Sequence, residues 1–269
     1  MSLLELHAVG KVFGGLHALR TVSLSVDKGQ IFGLIGPNGA GKTTLFNVIT
    51  GVYRPDAGHV HFDGSDVSGL GPVRIAERGI ARTFQNIRLF RSMTVEENVM
   101  VAGQKLHRSG LASAVFRTKS HADDERALLS RAHELLDVLG LRQHASDIAG
   151  SLPYGSQRRL EIARALMLAP KLLLLDEPAA GMNSNEARDL ERQIRSLRDE
   201  LGVTIVLVEH NMAVVMSVCE RIHVVDHGET IAEGTPGEVR EHPRVLAAYL
   251  GQEVEEASES AAPSTTVNP

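Results

Sequence analysis

The chain has 269 residues, of which 43% are hydrophobic and 23% charged, a balance that is typical of a globular protein with a sizeable core. Its formal net charge of -5 gives no electrostatic reason to expect nucleic acid as a partner. The single cysteine, Cys219, excludes an internal disulfide and fits a reducing compartment. No apolar run approaches the ~20 residues that span a bilayer, and we expect no signal peptide, so work at a membrane would require other chains to hold this one there.

The first part of the chain predicts strands that lead into one glycine-rich loop. Residues 3–9 and 21–26 alternate partly between apolar and polar side chains, which predicts two strands separated by a turn at Gly14 and Gly15. An apolar run over residues 31–35 predicts a buried strand. It is followed directly by Gly36, Pro37, Asn38, Gly39, Ala40, Gly41, Lys42, Thr43 and Thr44.

This loop fits the phosphate-binding pattern G-x-x-x-x-G-K-S/T between a strand and a helix. Its glycines let the backbone wrap N–H groups around phosphate oxygens, and the helix directs its positive end at the same anion. Lys42 would place a positive charge at the β- and γ-phosphates, and Thr43 would offer its hydroxyl to Mg²⁺. A turn that merely joins a strand to a helix is the alternative, but the pattern arises by chance in only about one chain in a hundred of this length.

The middle of the chain predicts helices. Thr94 and Glu97 form a capping-box pattern that opens a helix, and residues 104–122 predict a variable loop with room for a short helix. The apolar spacing over residues 123–139 then predicts a longer helix that ends at Gly140. We therefore predict a mostly helical insertion in an α/β domain.

The strand and helix alternation returns in the last third of the chain. Four consecutive leucines at 172–175 predict a strand buried on both faces, and Asp176 and Glu177 follow at the end where open α/β sheets bind ligands. A charged helix over 184–201, a buried strand over 203–208 and two further strands over 221–226 and 230–233 complete the pattern. Residues 252–269 have almost nothing to bury and predict a disordered tail.

Five motifs in this order resemble the ATPase subunit of ABC transporters. They are the phosphate loop, Thr83-Phe84-Gln85, the segment over residues 152–160, the leucine-rich strand with Asp176 and Glu177, and Val208-Glu209-His210. The resemblance covers residues 1–251. Within the family, residues 82–90, 159–164, 177–181 and 248–251 look most similar to the ATPases of bacterial high-affinity branched-chain amino acid importers.

The resemblance implies a P-loop NTPase (RecA-like) core with N-terminal antiparallel strands and an inserted helical subdomain. The core would comprise residues 1–90 and 165–251, and the helical subdomain residues 91–164. It also implies ATP and Mg²⁺ as ligands. The function implied is ATP hydrolysis that powers import of branched-chain amino acids.

The resemblance further assigns roles to five side chains. Asp176 would hold Mg²⁺ through water, and Glu177 would act as the general base on the attacking water. His210 would contact the γ-phosphate, Gln85 would reach Mg²⁺ or the water and report to the membrane subunits, and Phe13 would stack on adenine. The competing interpretations are a solvated acidic turn, a structural histidine, a surface glutamine and a core phenylalanine.

The signature segment, by resemblance, acts on ATP held by a second ATPase subunit. It consists of Leu152, Pro153, Tyr154, Gly155, Ser156 and Gln157. The family generally has Leu-Ser-Gly-Gly-Gln, so Pro153 removes both a hydroxyl and a backbone N–H that could reach a phosphate. The helix beyond it still opens with its positive end free.

The partners implied are two transmembrane permease subunits, a second ATPase that is either a different chain or a second copy, and a periplasmic or lipoprotein substrate-binding protein. The expected location is the cytoplasmic face of the inner membrane, as a peripheral subunit. Two alternatives remain open: the ATPase of an ABC system that exports lipid or another substrate, and a non-transport ABC ATPase.

Overall fold

The computed structural model describes residues 1–103 and 119–249. Ten strands in these ranges form one mixed sheet: β1 (Ser2–Phe13), β2 (Leu16–Asp27), β3 (Ile31–Ile35), β4 (Ala57–Phe62), β5 (Ser65–Asp66), β6 (Ile80–Arg82), β7 (Leu172–Asp176), β8 (Thr204–Val208), β9 (Arg221–Asp226) and β10 (Glu229–Gly234). Their order across the sheet is β5-β4-β1-β2-β10-β9-β3-β8-β7-β6. The strands β1, β2, β4 and β5 pair antiparallel, whereas β9, β3, β8, β7 and β6 run parallel. The predicted α/β class with N-terminal antiparallel strands is confirmed.

The helices lie between and beside these strands. They are α1 (Lys42–Ile49), α2 (Pro72–Arg78), α3 (Val95–Gly103), α4 (Lys119–Val138), α5 (Tyr154–Leu166), α6 (Ser184–Leu201), α7 (Met212–Val218) and α8 (Pro236–Glu241). Residues 243–249 are also helical. No helix in the described ranges is long and apolar enough to cross a membrane.

The parallel strands are buried on both faces, as their uninterrupted apolar runs predict. All five residues of β3, β7 and β8 are buried. Successive side chains point to opposite faces, so that Leu173 and Leu175 pack with α3 to α7 while Leu172 and Leu174 pack with α1 and the N-terminal strands. The sheet therefore separates two hydrophobic clusters.

The register of the three central strands aligns their carboxyl ends. Leu34 of β3 is paired with Val208 of β8, and Val208 is paired with Asp176 of β7. The phosphate loop begins just after Leu34, and Glu177 and His210 follow closely after Asp176 and Val208. Three loops that are far apart in sequence are thus brought to one edge of the sheet.

The predicted helical segment is present between β6 and β7. The capping box is confirmed, since the Thr94 N–H donates to Glu97 Oε2 at 2.8 Å and the Glu97 N–H donates to Thr94 Oγ1 at 3.2 Å. The helix predicted over residues 123–139 begins earlier, at Lys119. The prediction missed this start because the first turn is polar and carries no apolar periodicity. Most of the loop predicted over residues 104–122 and the tail predicted over 252–269 lie outside the described residues. The subdomain boundaries at 91 and 164 stay predictions.

A close contact beneath β3 gives the first test. A Cβ at Gly33 would lie 3.0 Å from Cys219 Sγ and 3.3 Å from Ile222 Cγ1, so Gly33→Ala should overpack this site and lower the free energy of unfolding by about 1–3 kcal/mol. Adding Cys219→Ala to the Gly33→Ala chain removes the sulfur atom that the new Cβ would meet first. The double variant should therefore lose less stability in urea denaturation than the sum of the two single variants. Simple additivity would show that Gly33 and Cys219 do not compete for space.

Candidate functional site

A cavity of about 440 Å³ lies at the carboxyl edge of the parallel strands. It is lined by Leu16, His17, Ala18, Arg20, Asn38, Gly39, Ala40, Gly41, Lys42, Thr43, Thr44, Gln85, Glu177, His210 and His227. The phosphate loop thus shares one cavity with Gln85, Glu177 and His210. Ten of the predicted site residues line this one cavity, although their sequence positions span more than half of the chain.

The phosphate loop needs glycine at two positions for steric reasons. Gly36 has φ 153°, and a Cβ there would lie 1.9 Å from the Val225 carbonyl oxygen. Gly41 has φ 105°, and a Cβ there would lie 2.6 Å from the Ala18 carbonyl oxygen. The loop therefore passes against the backbones of β9 and β2 with no space for a side chain. Gly41 is also the N-cap of α1 and provides no side-chain cap, which leaves first-turn N–H groups available to an anion.

Lys42 is buried, and its ammonium group is held inside the loop. Its Nζ donates to the Gly36 carbonyl at 2.6 Å and to the Pro37 carbonyl at 2.8 Å. Burial lowers the pKa of Lys42, while the nearby carboxylates of Glu177 and Asp176 act in the opposite direction. The loop thus presents a fixed positive charge to the cavity.

Three predicted catalytic side chains are in direct contact. Glu177 Oε1 lies 2.7 Å from His210 Nε2, and Gln85 Nε2 donates to Glu177 Oε2 at 3.0 Å. Glu177 itself has φ 48°, a left-handed conformation that non-glycine residues rarely adopt. Such strain persists where the surrounding structure fixes it, and it often accompanies function.

Asp176 is held by a partner to which the sequence analysis assigned no role. Its Oδ2 accepts a hydrogen bond from Arg82 at 2.7 Å, and Arg82 also donates to Asn47 Oδ1 at 2.6 Å. Both side chains of this ion pair are almost fully buried. Asp176 is not among the residues that line the cavity. The sequence did contain a signal for this ion pair, because an apolar strand ends with a positive charge at Arg82 and another ends with a negative charge at Asp176.

The segment that carries Gln85 is fastened to α5 by another buried pair. The Arg158 guanidinium donates to the carbonyls of Phe84 and Gln85 and lies 3.1 Å from Glu161 Oε2. Burial raises the pKa of Glu161, and the charge of Arg158 opposes this shift. Helix α5, which begins in the signature segment, therefore positions the backbone of Gln85. Sequence reasoning assigned no role to Arg158 or Glu161.

Phe13 lies beside the cavity and is not among its lining residues. Its ring is 40% exposed and packs edge-to-face on Tyr53 with ring centroids 5.1 Å apart. Across the hairpin it pairs with Leu16, which does line the cavity. Its role in adenine stacking stays a prediction.

The signature segment forms the start of α5, away from the cavity of the same chain. Pro153 is the N-cap and provides no side-chain cap. The hydroxyl of the buried Ser156 accepts a hydrogen bond from Arg159 at 2.9 Å, and Gln157 donates to the Leu152 carbonyl at 2.8 Å. Tyr154 is 46% exposed. The side chains of Ser156 and Gln157 thus stabilise the helix start, and Tyr154, whose ring lies near the Arg158 guanidinium, keeps an exposed surface.

The donor set of the cavity fits a magnesium ion that arrives with a nucleotide. Thr43 and Gln85 offer a hydroxyl oxygen and an amide oxygen to this cavity, which are oxygen donors of the type that Mg²⁺ accepts. In residues 1–103 and 119–249, no group of three or more His, Cys, Asp or Glu side chains could hold a metal ion alone.

Comparison with known proteins agrees with this geometry. The family model described as ABC transporter matches residues 19–180, which is more than half of the chain. This chain belongs to the ABC transporter family. A second model, described as branched-chain amino acid ATP-binding cassette transporter, matches residues 229–255 of this ABC protein.

Curated relatives of this ABC protein match over nearly its whole length. The high-affinity branched-chain amino acid transport ATP-binding protein BraF of Pseudomonas aeruginosa is 44% identical over 250 residues, which covers 93% of this chain and 98% of BraF. The protein of the same description named LivG from Escherichia coli is 45% identical with the same coverage. The recognition of the family from its motifs is confirmed.

Solved structures extend the match to the fold. An ATP-binding cassette of an ABC transporter in its ADP conformation aligns with a TM-score of 0.80 at 33% identity, covering 93% of this chain and 99% of that one. A dimeric cassette in a post-hydrolysis state with ADP and phosphate aligns with a TM-score of 0.73 at 27% identity, covering 87% and 99%. The predicted P-loop NTPase fold is confirmed.

The buried ion pair of this ABC ATPase gives a second test. Arg82→Met keeps much of the side-chain volume but leaves the Asp176 carboxylate buried without its partner, so the free energy of unfolding should fall by about 3–5 kcal/mol. Arg192→Met is the matched control, because it breaks an exposed pair with Asp189 and should cost less than about 1 kcal/mol. Urea denaturation measures both.

Adding Asp176→Asn to the Arg82→Met chain should restore part of the lost stability, since the unpaired charge is then removed. Equal losses for Arg82→Met and Arg192→Met would contradict a structural role for the buried pair.

Proposed function

We propose that this chain is the ATP-hydrolysing subunit that powers import of branched-chain amino acids through a multi-subunit ABC transporter. The observation that carries the proposal is the contact of Gln85, Glu177 and His210 in one cavity with the phosphate loop. The substrate class is supported by the descriptions of BraF and LivG, and by the family model that matches residues 229–255.

ATP would bind with its phosphates at the start of α1. The free N–H groups at the start of α1 and the ammonium of Lys42 would together supply the anion site. Thr43 would hold Mg²⁺ through its hydroxyl, and Gln85 would reach the ion or the attacking water. Asp176 would act through water, since Arg82 already holds its Oδ2. When bound, Mg²⁺ supplies positive charge that neutralises the phosphate oxygens.

Hydrolysis needs a water molecule placed in line with the γ-phosphorus. Glu177 would accept a proton from this water while the water oxygen bonds to phosphorus and the bond to the bridging oxygen breaks, giving ADP and phosphate. His210 contacts one carboxylate oxygen of Glu177, and Gln85 donates to the other. The imidazole of His210 and the amide of Gln85 would also orient the water and the γ-phosphate.

A second ATPase subunit would complete each site. In this family one chain contributes the phosphate loop and the other chain contributes the signature segment. In this chain, the exposed Tyr154 and the uncapped start of α5 would face the nucleotide of the partner. Because Pro153 removes a hydroxyl and an N–H from that surface, we favour a different ATPase chain as the partner.

The membrane subunits would dock beside Gln85. A groove of about 250 Å³ lies there, and Arg82, Phe84, Arg88, Ala102, Glu161, Arg164, Ala165 and Leu168 line it. Phe84 is partly exposed, with the Arg88 guanidinium 4.3 Å from its ring centroid. Such a groove, which combines apolar side chains with three arginines and one glutamate, suits a short helix of a permease subunit. The chain would then lie on the cytoplasmic face of the membrane, with the substrate-binding protein on the other side.

The general-base assignment predicts a separation of binding from hydrolysis. Glu177→Gln keeps the length of the side chain but removes the charge that accepts the proton, so ATP hydrolysis should fall by about 10²- to 10⁴-fold. ATP affinity should stay within about threefold, because the phosphate loop does not change. Phosphate release and fluorescent-nucleotide titration measure the two quantities. Normal hydrolysis would remove Glu177 from the mechanism, and loss of binding would give it a structural role.

The transport assignment is tested in cells that lack the chromosomal copy of this protein. Uptake of labelled leucine, isoleucine or valine at low external concentration should be lost and should return with the wild-type chain. Lys42→Ala should not restore it, because the only lysine of the phosphate loop is gone. Arg192→Met, on an exposed surface of α6, is the control that should restore uptake fully. Normal amino acid uptake together with loss of lipid export would favour the export alternative.

A further inference from the structure

Glu209 is a buried carboxylate that lies directly behind the catalytic cluster. It follows β8 and is only 3% exposed. One oxygen accepts the Ala179 N–H at 2.6 Å, and the other accepts the N–H groups of His210 at 3.0 Å and Asn211 at 3.2 Å. All three contacts need an acceptor, and both oxygens are used.

These hydrogen bonds join the loop after β7 to the loop after β8. Ala179 lies two residues beyond Glu177, and His210 is the residue whose ring contacts Glu177. On the other side, the Glu177 N–H donates to the Val208 carbonyl at 2.8 Å. The backbone at Glu177 is therefore fixed twice: its own N–H is bonded to Val208 at the end of β8, and the N–H two residues later is bonded to the Glu209 side chain just beyond that strand.

This double attachment accounts for the unusual backbone of Glu177. A left-handed conformation at a non-glycine residue is strained and relaxes unless neighbouring contacts hold it. The conformation at φ 48° directs the Glu177 carboxylate toward His210 and Gln85. Loss of the Ala179 contact would free one end of the strained turn.

We propose that Glu209 is a positioning residue for hydrolysis, which fixes the loop of Glu177 and the loop of His210 in one geometry. This inference rests on the proposed ATPase function. Glu209 is not among the residues that line the nucleotide cavity, so it acts through Glu177 and His210 and touches no reacting atom.

A glutamine cannot replace this carboxylate. Its NH₂ group would face either the N–H of Ala179 or the N–H groups of His210 and Asn211, so a donor would oppose a donor on one side. Burial raises the pKa of Glu209, and its three backbone hydrogen bonds act in the opposite direction by stabilising the ionised form. The three N–H donors are thus the structural reason for a carboxylate at this buried position.

The test uses Glu209→Gln in the full-length chain purified with its membrane subunits. The kcat for ATP hydrolysis should fall by about 10- to 100-fold, the loss expected when a catalytic group is displaced by about 1 Å. The KM for ATP should change by less than about threefold, because neither Lys42 nor the phosphate loop contacts Glu209. Glu209→Asp, which keeps the charge on a shorter side chain, should recover part of the kcat.

A double-mutant cycle separates positioning from general damage. In a chain that already carries Glu177→Gln, Glu209→Gln should lower the remaining hydrolysis by less than about threefold, because the group that it positions is no longer a base. Losses that multiply would overturn the proposal, as would wild-type kcat in Glu209→Gln alone. The control is Glu233→Gln on β10, which removes a carboxylate that is hydrogen-bonded to His223 and Arg221 of β9 and should leave kcat unchanged.

Amide hydrogen exchange tests the contacts without reference to activity. In Glu209→Gln, the amides of residues 179, 210 and 211 should exchange faster than in wild type, while those of α1 should not change. Unchanged exchange at these three amides would also overturn the proposal. A wild-type complex that hydrolyses no ATP would contradict the proposed function, and the exchange result would still decide whether Glu209 holds the two loops.

Discussion

The parallel register of β3, β8 and β7 is the constraint on which the site depends. Leu34, Val208 and Asp176 are neighbours across the sheet, so the three loops that follow start from one line. Backbone hydrogen bonds then extend this alignment beyond the strands, as in the bond from the Glu177 N–H to the Val208 carbonyl. A shift of one residue in either pairing would move Glu177 away from Lys42 and reverse the buried faces of the strand.

The same edge concentrates buried charge, which is costly unless each group has partners. Asp176 is paired with Arg82, the Lys42 ammonium is held by two loop carbonyls, and the Glu209 carboxylate accepts three backbone N–H groups. These charges are satisfied mostly by fixed backbone groups and by one another. A site built in this way needs little reorganisation when phosphate charge enters it, which is the condition for strong electrostatic stabilisation of a transition state.

Local patterns in the sequence were sufficient for the elements that carry the site. The phosphate loop, the strand at 172–176 and the helix at 184–201 are recognised from residues that are adjacent in the chain. The pairing of Arg82 with Asp176 depends on the position of β6 next to β7, and the two residues are 94 positions apart. The triple contact of Glu209 could not be predicted, because it depends on the path of two loops. For Phe13 the sequence identified an aromatic residue near the site but not its packing on Tyr53.

The central claim is that Gln85, Glu177 and His210 act as one unit on a nucleotide that the phosphate loop binds without their help. The most direct measurement is single-turnover hydrolysis of ATP by the purified transporter, with ATP binding measured on the same samples, for Gln85→Ala and His210→Ala. The account predicts that each variant binds ATP within about threefold of wild type while its hydrolysis rate falls by at least about tenfold. Hydrolysis that stays at the wild-type rate, or that falls only in proportion to ATP binding, would contradict it.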